Sequence, residues 1–130
     1  MKVIIAGGRD FTRARDDAGN LLEEGTHIEQ QELAFKVLYP YSDTASEVVC
    51  GLARGADKVG STFADSFLIE VAKFPADWDK HGRSAGFIRN VQMAKYADVL
   101  VAFWDGKSKG THHMIGTALD HGLEVHVYRY

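Results

Sequence analysis

Short apolar runs, each closed by glycine or a polar turn, recur along the chain. Val3-Ile4-Ile5-Ala6 stops at Gly7-Gly8, Val48-Val49-Cys50 stops at Gly51, and Val99-Leu100-Val101-Ala102-Phe103 stops at Trp104-Asp105-Gly106. Unbroken β-branched runs of this length read as strands covered on both faces. Val125-His126-Val127-Tyr128 repeats the form, and Ile69 to Phe74 is a weaker version interrupted by Glu70 and Lys73. Between these runs the apolar positions change period: Val59, Phe63 and Phe67 recur every four residues and fall on one face of a helix. The pattern predicts helices over about 27–39, 55–68, 84–96 and 110–121. Thr26 with Glu29 three residues later predicts a capping box before the first, and Gly122 predicts the stop of the last. Strands alternating with helices predict an α/β fold of three layers, a mostly parallel sheet of about five strands with helices on both faces. Residues 13–25, with Asp16-Asp17-Ala18-Gly19-Asn20, read as a polar turn or small hairpin inserted before the first helix.

In an open parallel sheet a ligand binds beyond the carboxyl ends of the strands, near the point where strand order reverses. Three loops lie there: Gly7-Gly8-Arg9-Asp10, Gly51-Leu52-Ala53-Arg54-Gly55-Ala56-Asp57, and Gly106-Lys107-Ser108-Lys109-Gly110-Thr111. Glycine lets backbone approach a phosphate closely, and a helix start favours an anion, by roughly 0.3–1 kcal/mol at an exposed site. Cooperation between loops is therefore needed. Of the 15 Lys and Arg residues, Arg9, Arg13, Arg15, Arg54, Lys58, Lys80, Arg83, Arg89, Lys107 and Lys109 fall in or beside the segments that follow the first four strands. This clustering matters more than the formal net charge of −3, which argues against a protein that coats nucleic acid. No obvious aromatic and basic stripe for stacking successive bases stands out in the sequence, so nucleic acid is not the expected partner.

With 130 residues the chain is expected to form one domain. It has a single cysteine, Cys50, which sits in an apolar strand and reads as a small buried hydrophobe. The absence of an apolar leader or membrane-length stretch leads us to expect a reducing, cytoplasmic protein. His112, His113 and His121 are not spaced as a metal set, and no metal is expected.

The least generic stretch runs from Phe74-Pro75 through Asp77-Trp78-Asp79-Lys80-His81-Gly82-Arg83 to Arg89-Asn90. Asp77 and Asp79 suit a ribose diol, Trp78 a base, and Arg83 or Arg89 a phosphate held by two parallel donors. A structural alternative stands beside each assignment. Arg89 paired with Asp77 or Asp79 would fix the loop, Trp78 would cover the core, and His81 would face solvent rather than act as an acid or base.

Gly7-Gly8-Arg9-Asp10, the Gly51-to-Asp57 run and the Pro75-to-Asn90 run, in this order and spacing, resemble the YspA, cpYpsA-related SLOG family. The resemblance extends from residue 1 to about 128, apart from the segment near 13–25. It implies a Rossmann-like domain that senses or processes a nucleotide-derived ligand such as ADP-ribose or an NAD derivative, with no required cofactor. It also implies a homodimer or higher assembly. The site it implies comprises Gly7, Gly8, Arg9, Asp10, Gly51, Arg54, Gly55, Asp57, Asp77, Trp78, Asp79, Arg83, Arg89, Asn90, Gly106, Gly110 and Thr111, with Thr111 capping a phosphate-binding helix. The superfamily includes the LOG phosphoribohydrolases and the single-stranded-DNA-binding DprA proteins. Against the LOG signature Pro-Gly-Gly-x-Gly-Thr-x-x-Glu, this chain keeps Gly110-Thr111 but places Met114 at the glutamate position. A LOG-type reaction is therefore disfavoured. Any hydrolysis would need another carboxylate, with Asp57 and Asp79 the leading candidates and Asp77 and Asp105 open.

Overall fold

The computed structural model describes residues 1–51 and 55–130, with Asp57 described only as part of its helix. Five strands, β1 (Lys2–Gly7), β2 (Glu47–Cys50), β3 (Glu70–Lys73), β4 (Val99–Trp104) and β5 (Glu124–Arg129), form one sheet in the order β3-β2-β1-β4-β5. Every neighbouring pair is parallel; Val3 of β1, for example, sits opposite both Val48 and Val99. Among the described residues the α-helices are α1 (Ile28–Leu38), α2 (Ala56–Ser66), a short α3 (Trp78–His81), α4 (Ala85–Tyr96) and α5 (Lys109–Asp120).

Strand periodicity builds the layers, because successive side chains point to opposite faces. Val3 and Ile5 enter a core with Ala34 and Leu38 of α1 and Phe63 and Ala64 of α2. Ile4 and Ala6 enter a second core with Met93 and Ala94 of α4 and Met114 and Ala118 of α5. The central strands β1 and β4 thus read as continuous apolar runs. At the sheet edges β3 and β5 expose Glu70, Lys73, Glu124 and Arg129, charges that discourage pairing with another sheet. This position explains why the β3 run looked weak in the sequence. Among the described residues no helix is long and apolar enough to cross a membrane.

One local expectation is corrected. The cap of α1 is His27, whose Nδ1 accepts the Gln30 N–H at 3.3 Å. Thr26 instead donates to the Glu23 carbonyl and accepts the Ala14 N–H, so its hydroxyl is spent on the inserted segment. That segment is a small hairpin, with an antiparallel bridge between Arg15 and Leu21 and Asp16 accepting the N–H groups of Ala18 and Asn20. At the other end of the chain Gly122, at φ +77°, follows α5 as the sequence predicts.

Candidate functional site

The order β3-β2-β1-β4-β5 reverses direction between β1 and β4, so the ends of these two strands define the place where an open α/β sheet takes a ligand. After β1, the Gly8 N–H donates to the Phe103 carbonyl at 3.3 Å, and the Gly8 carbonyl accepts from Phe11 and from Ala56 at the start of α2. A side chain on Gly55, which sits at φ +74°, would collide with that same Gly8 carbonyl. The first two glycine loops are therefore in direct contact, and this close approach together with the positive φ accounts for Gly55. Phe11 stacks on Phe103 with ring centroids 4.4 Å apart and also meets Tyr130. The Tyr130 hydroxyl donates to Asp10 at 2.7 Å, and burial, together with that bond, pushes the phenol's ionisation far up.

At the end of β4, the Asp105 carboxylate accepts the backbone N–H groups of Lys107 and Ser108, both at 2.8 Å. The bonds from Ser108 and then Lys107 hold its pKa below the usual carboxylate value. This turn delivers α5, whose cap is Ser108 rather than Thr111: the Ser108 Oγ accepts the Thr111 N–H at 3.3 Å. Thr111 is buried, with its hydroxyl paired to that of Ser108. Met114, 1% exposed, belongs to the core between α5 and the sheet.

The third wall comes from the connection between β3 and α4. Asp77 caps α3 by accepting the Lys80 N–H at 3.1 Å. Trp78 is 54% exposed, so it does not serve as a core cover. A single 3-10 turn, Gly82–Ser84, then presents Arg83 and leads into α4. Arg89 donates from Nη1 to the Gly51 carbonyl at 2.7 Å and from Nε to Asn90 at 3.2 Å, not to Asp77 or Asp79. Its guanidinium fills the space a side chain on Gly51 would need. Asn90, nearly buried, donates to the Gly110 carbonyl and lies 3.2 Å from His113 Nδ1, which ties α4 to the first turn of α5.

These walls enclose a cleft of about 460 Å³, within the range of small-molecule sites. Of the residues singled out from sequence, Gly7, Gly8, Arg9, Asp10, Trp78, Arg83, Arg89, Asn90, Gly110 and Thr111 line it. Gly51, Gly55, Asp77, Asp79 and Gly106 do not. The first two of these shape its floor through Arg89 and Gly8, and Gly106 lines a neighbouring hollow. Arg54 and the Asp57 side chain lie outside the described residues. The cleft is also lined by Asp105, weighed from sequence only as an open candidate carboxylate, by Ser108, which lay in the third glycine loop without a role, and by Leu21, Phe87 and Met93, which the sequence did not assign to the site. Asp105 and Ser108 carried a readable signal, since an acid followed three residues on by a serine at a helix start is turn and cap chemistry. Leu21 and Phe87 carried none.

The cations are less concentrated than their sequence positions imply. Arg13 donates to the Leu22 carbonyl and Arg15 to the Gly19 carbonyl, both within the hairpin. Arg9, Arg83 and Arg89 remain at the cleft, and among the described residues none forms an ion pair with a carboxylate. No three His, Cys, Asp or Glu side chains gather as a metal site would require among the same residues.

Over 84 residues the sequence is 39% identical to the Gene 61 protein of Mycobacterium phage D29, an alignment covering 60% of this chain and 67% of that protein. No family model matches the chain, and no solved structure matches it.

Proposed function

We propose that this chain, which belongs to the family of the phage D29 Gene 61 protein, binds a nucleotide or nucleotide-derived anion in the cleft between β1 and β4. The ligand class is a nucleoside phosphate or an ADP-ribose or NAD derivative, and the role is to sense or sequester it. The resemblance to the YspA-type SLOG family is part of the same proposal. The observation that carries it is the convergence of Arg9, Arg83 and Arg89, all without carboxylate partners, with the exposed ring of Trp78 on one cleft at the strand-order reversal. Unpaired guanidiniums suit phosphate oxygens, and an exposed indole suits a base. Asp105 and Asp10 also line the cleft, but the first is occupied by two backbone donors and the second by Tyr130.

Binding has more support than turnover. The position of the LOG glutamate is filled by a buried methionine, and Asp79 is not among the residues that line the cleft. Calorimetric titration with AMP, cyclic AMP, NAD and ADP-ribose tests the proposal. We expect saturable binding by at least one, with no released base, ribose phosphate or inorganic phosphate on prolonged incubation. A folded protein that binds none of the four would remove the reading.

A further inference from the structure

A second hollow of about 600 Å³ adjoins the cleft, lined by Phe87, Trp104, Lys107, Lys109, His112 and His113. Phe87, 46% exposed, lines both spaces. On one side it stacks on His113, with centroids 4.2 Å apart and planes at 19°. Trp104 and His112 form a second ring pair in the same lining, 5.6 Å apart, and the Arg129 guanidinium lies over the Trp104 ring, 5.3 Å from its centroid. Two features keep these walls in place. The Trp104 indole donates to the Ser108 carbonyl at 3.1 Å, and His113 Nδ1 lies 3.2 Å from the Asn90 amide nitrogen, which belongs to the first cleft. Burial lowers the His113 pKa and so favours the neutral imidazole, an aromatic face rather than a charge. The charge comes from Lys107 and Lys109, neither of which has an ion-pair partner among the described residues. Aromatic walls joined to cations are the chemistry of a base-stacking subsite beside a phosphate.

We infer that the ligand carries two bases joined through phosphate, the first in the cleft beside Trp78 and the second in the hollow between Phe87 and Trp104. The inference rests on the reading of the cleft as a nucleotide site. The linkage is either a phosphodiester or a pyrophosphate, and the probes separate the two.

The test is calorimetric titration of AMP, ADP, the 5′-phosphorylated dinucleotide pApA and diadenosine diphosphate. Base stacking predicts that at least one two-base probe binds about five- to a hundredfold more tightly than either AMP or ADP. Trp104→Ala should remove that gain. Because Trp104 also holds Ser108, His112→Ala provides a second variant, exposed and making only a ring contact. Two-base probes that bind no better than ADP would overturn the inference and leave the nucleotide site standing. A gain that survives both variants would overturn the placement of the second base. Failure of all four probes would overturn this inference, and the nucleotide site would then stand or fall on the titrations with NAD and ADP-ribose.

Discussion

Arg89, which the proposed function places against the ligand, shows how such a side chain can be prepared one residue at a time. Two of its donors are fixed on Gly51 and Asn90, leaving Nη2 without a protein acceptor among the described residues. Its planar group is thus oriented before any ligand arrives, which lowers the entropy cost of binding. Arg89→Ala should weaken AMP binding at least about tenfold, since a charge-assisted hydrogen bond contributes roughly 1.5–3 kcal/mol. Arg89→Lys should recover little of that loss, because an ammonium cannot hold both protein partners and the ligand in one plane. Equal affinities for wild type and Arg89→Ala would place the anion elsewhere. His113 makes a second prediction at this scale. Burial holds its imidazole below the ordinary value of 6.5. Below pH 6.5 the unfolded chain takes up a proton that the folded chain resists. The associated stability is therefore full above that pH and is lost as the pH falls through the lowered folded value. Melting temperatures of wild type and His113→Gln, compared at pH 7.5 and 5.5, should show the smaller drop in the variant, which keeps an acceptor for Asn90. Parallel drops would assign the acid sensitivity to other groups.

At the scale of elements, caps and short turns decide where the chain changes direction. Ser108 and Asp105 together close four residues onto the end of β4 and aim α5 at the cleft. Ser108→Ala removes the side-chain acceptor for the Thr111 N–H and should cost about 1 kcal/mol. A melting temperature lowered by a few degrees in urea-free buffer would register it; an unchanged value would mean that the Asp105 turn alone holds the helix start. The long elements were legible in the sequence because tertiary packing obeys the same periodicities: α1, α2, α4 and α5 fall within one or two residues of their expected ranges. The four-residue α3 was not legible, since one turn of helix has no period to read. The capping box failed for a different reason. Thr26 has the right residue type and spacing, but its hydroxyl is claimed by Ala14 across the hairpin, a contact that only the folded chain creates. Asp77, read from sequence as a ribose ligand, is used as a cap, a role its residue type serves equally well.

For the whole molecule, parallel topology made the location of the cleft readable and left its lining only half readable. Strand ends specify the edge, but Leu21 reaches the cleft from an insertion that looked like an excursion away from it. Thr12 anchors the base of that hairpin: its N–H donates to Gln30, its carbonyl accepts from His27, and its hydroxyl accepts from Gly25. Beyond this anchor, the Leu22 N–H donates to the Ala14 carbonyl at 2.8 Å, and the tip is held by its own bonds around Asp16. Fold and hairpin tip are therefore separable. Replacing Arg15 through Leu21 with two glycines keeps the Ala14–Leu22 pairing and removes the one apolar side chain that the tip brings to the cleft. Since no core residue is lost, the melting temperature should move by less than about 5 °C, a change below roughly 1 kcal/mol for a domain of this size. AMP affinity should nevertheless fall several-fold, because the cleft opens to water on that side and the arginines act in a higher dielectric. Unchanged affinity would make the hairpin a bystander. Global unfolding would show that the tip is part of the folding unit and that the Thr12 anchor is insufficient without it.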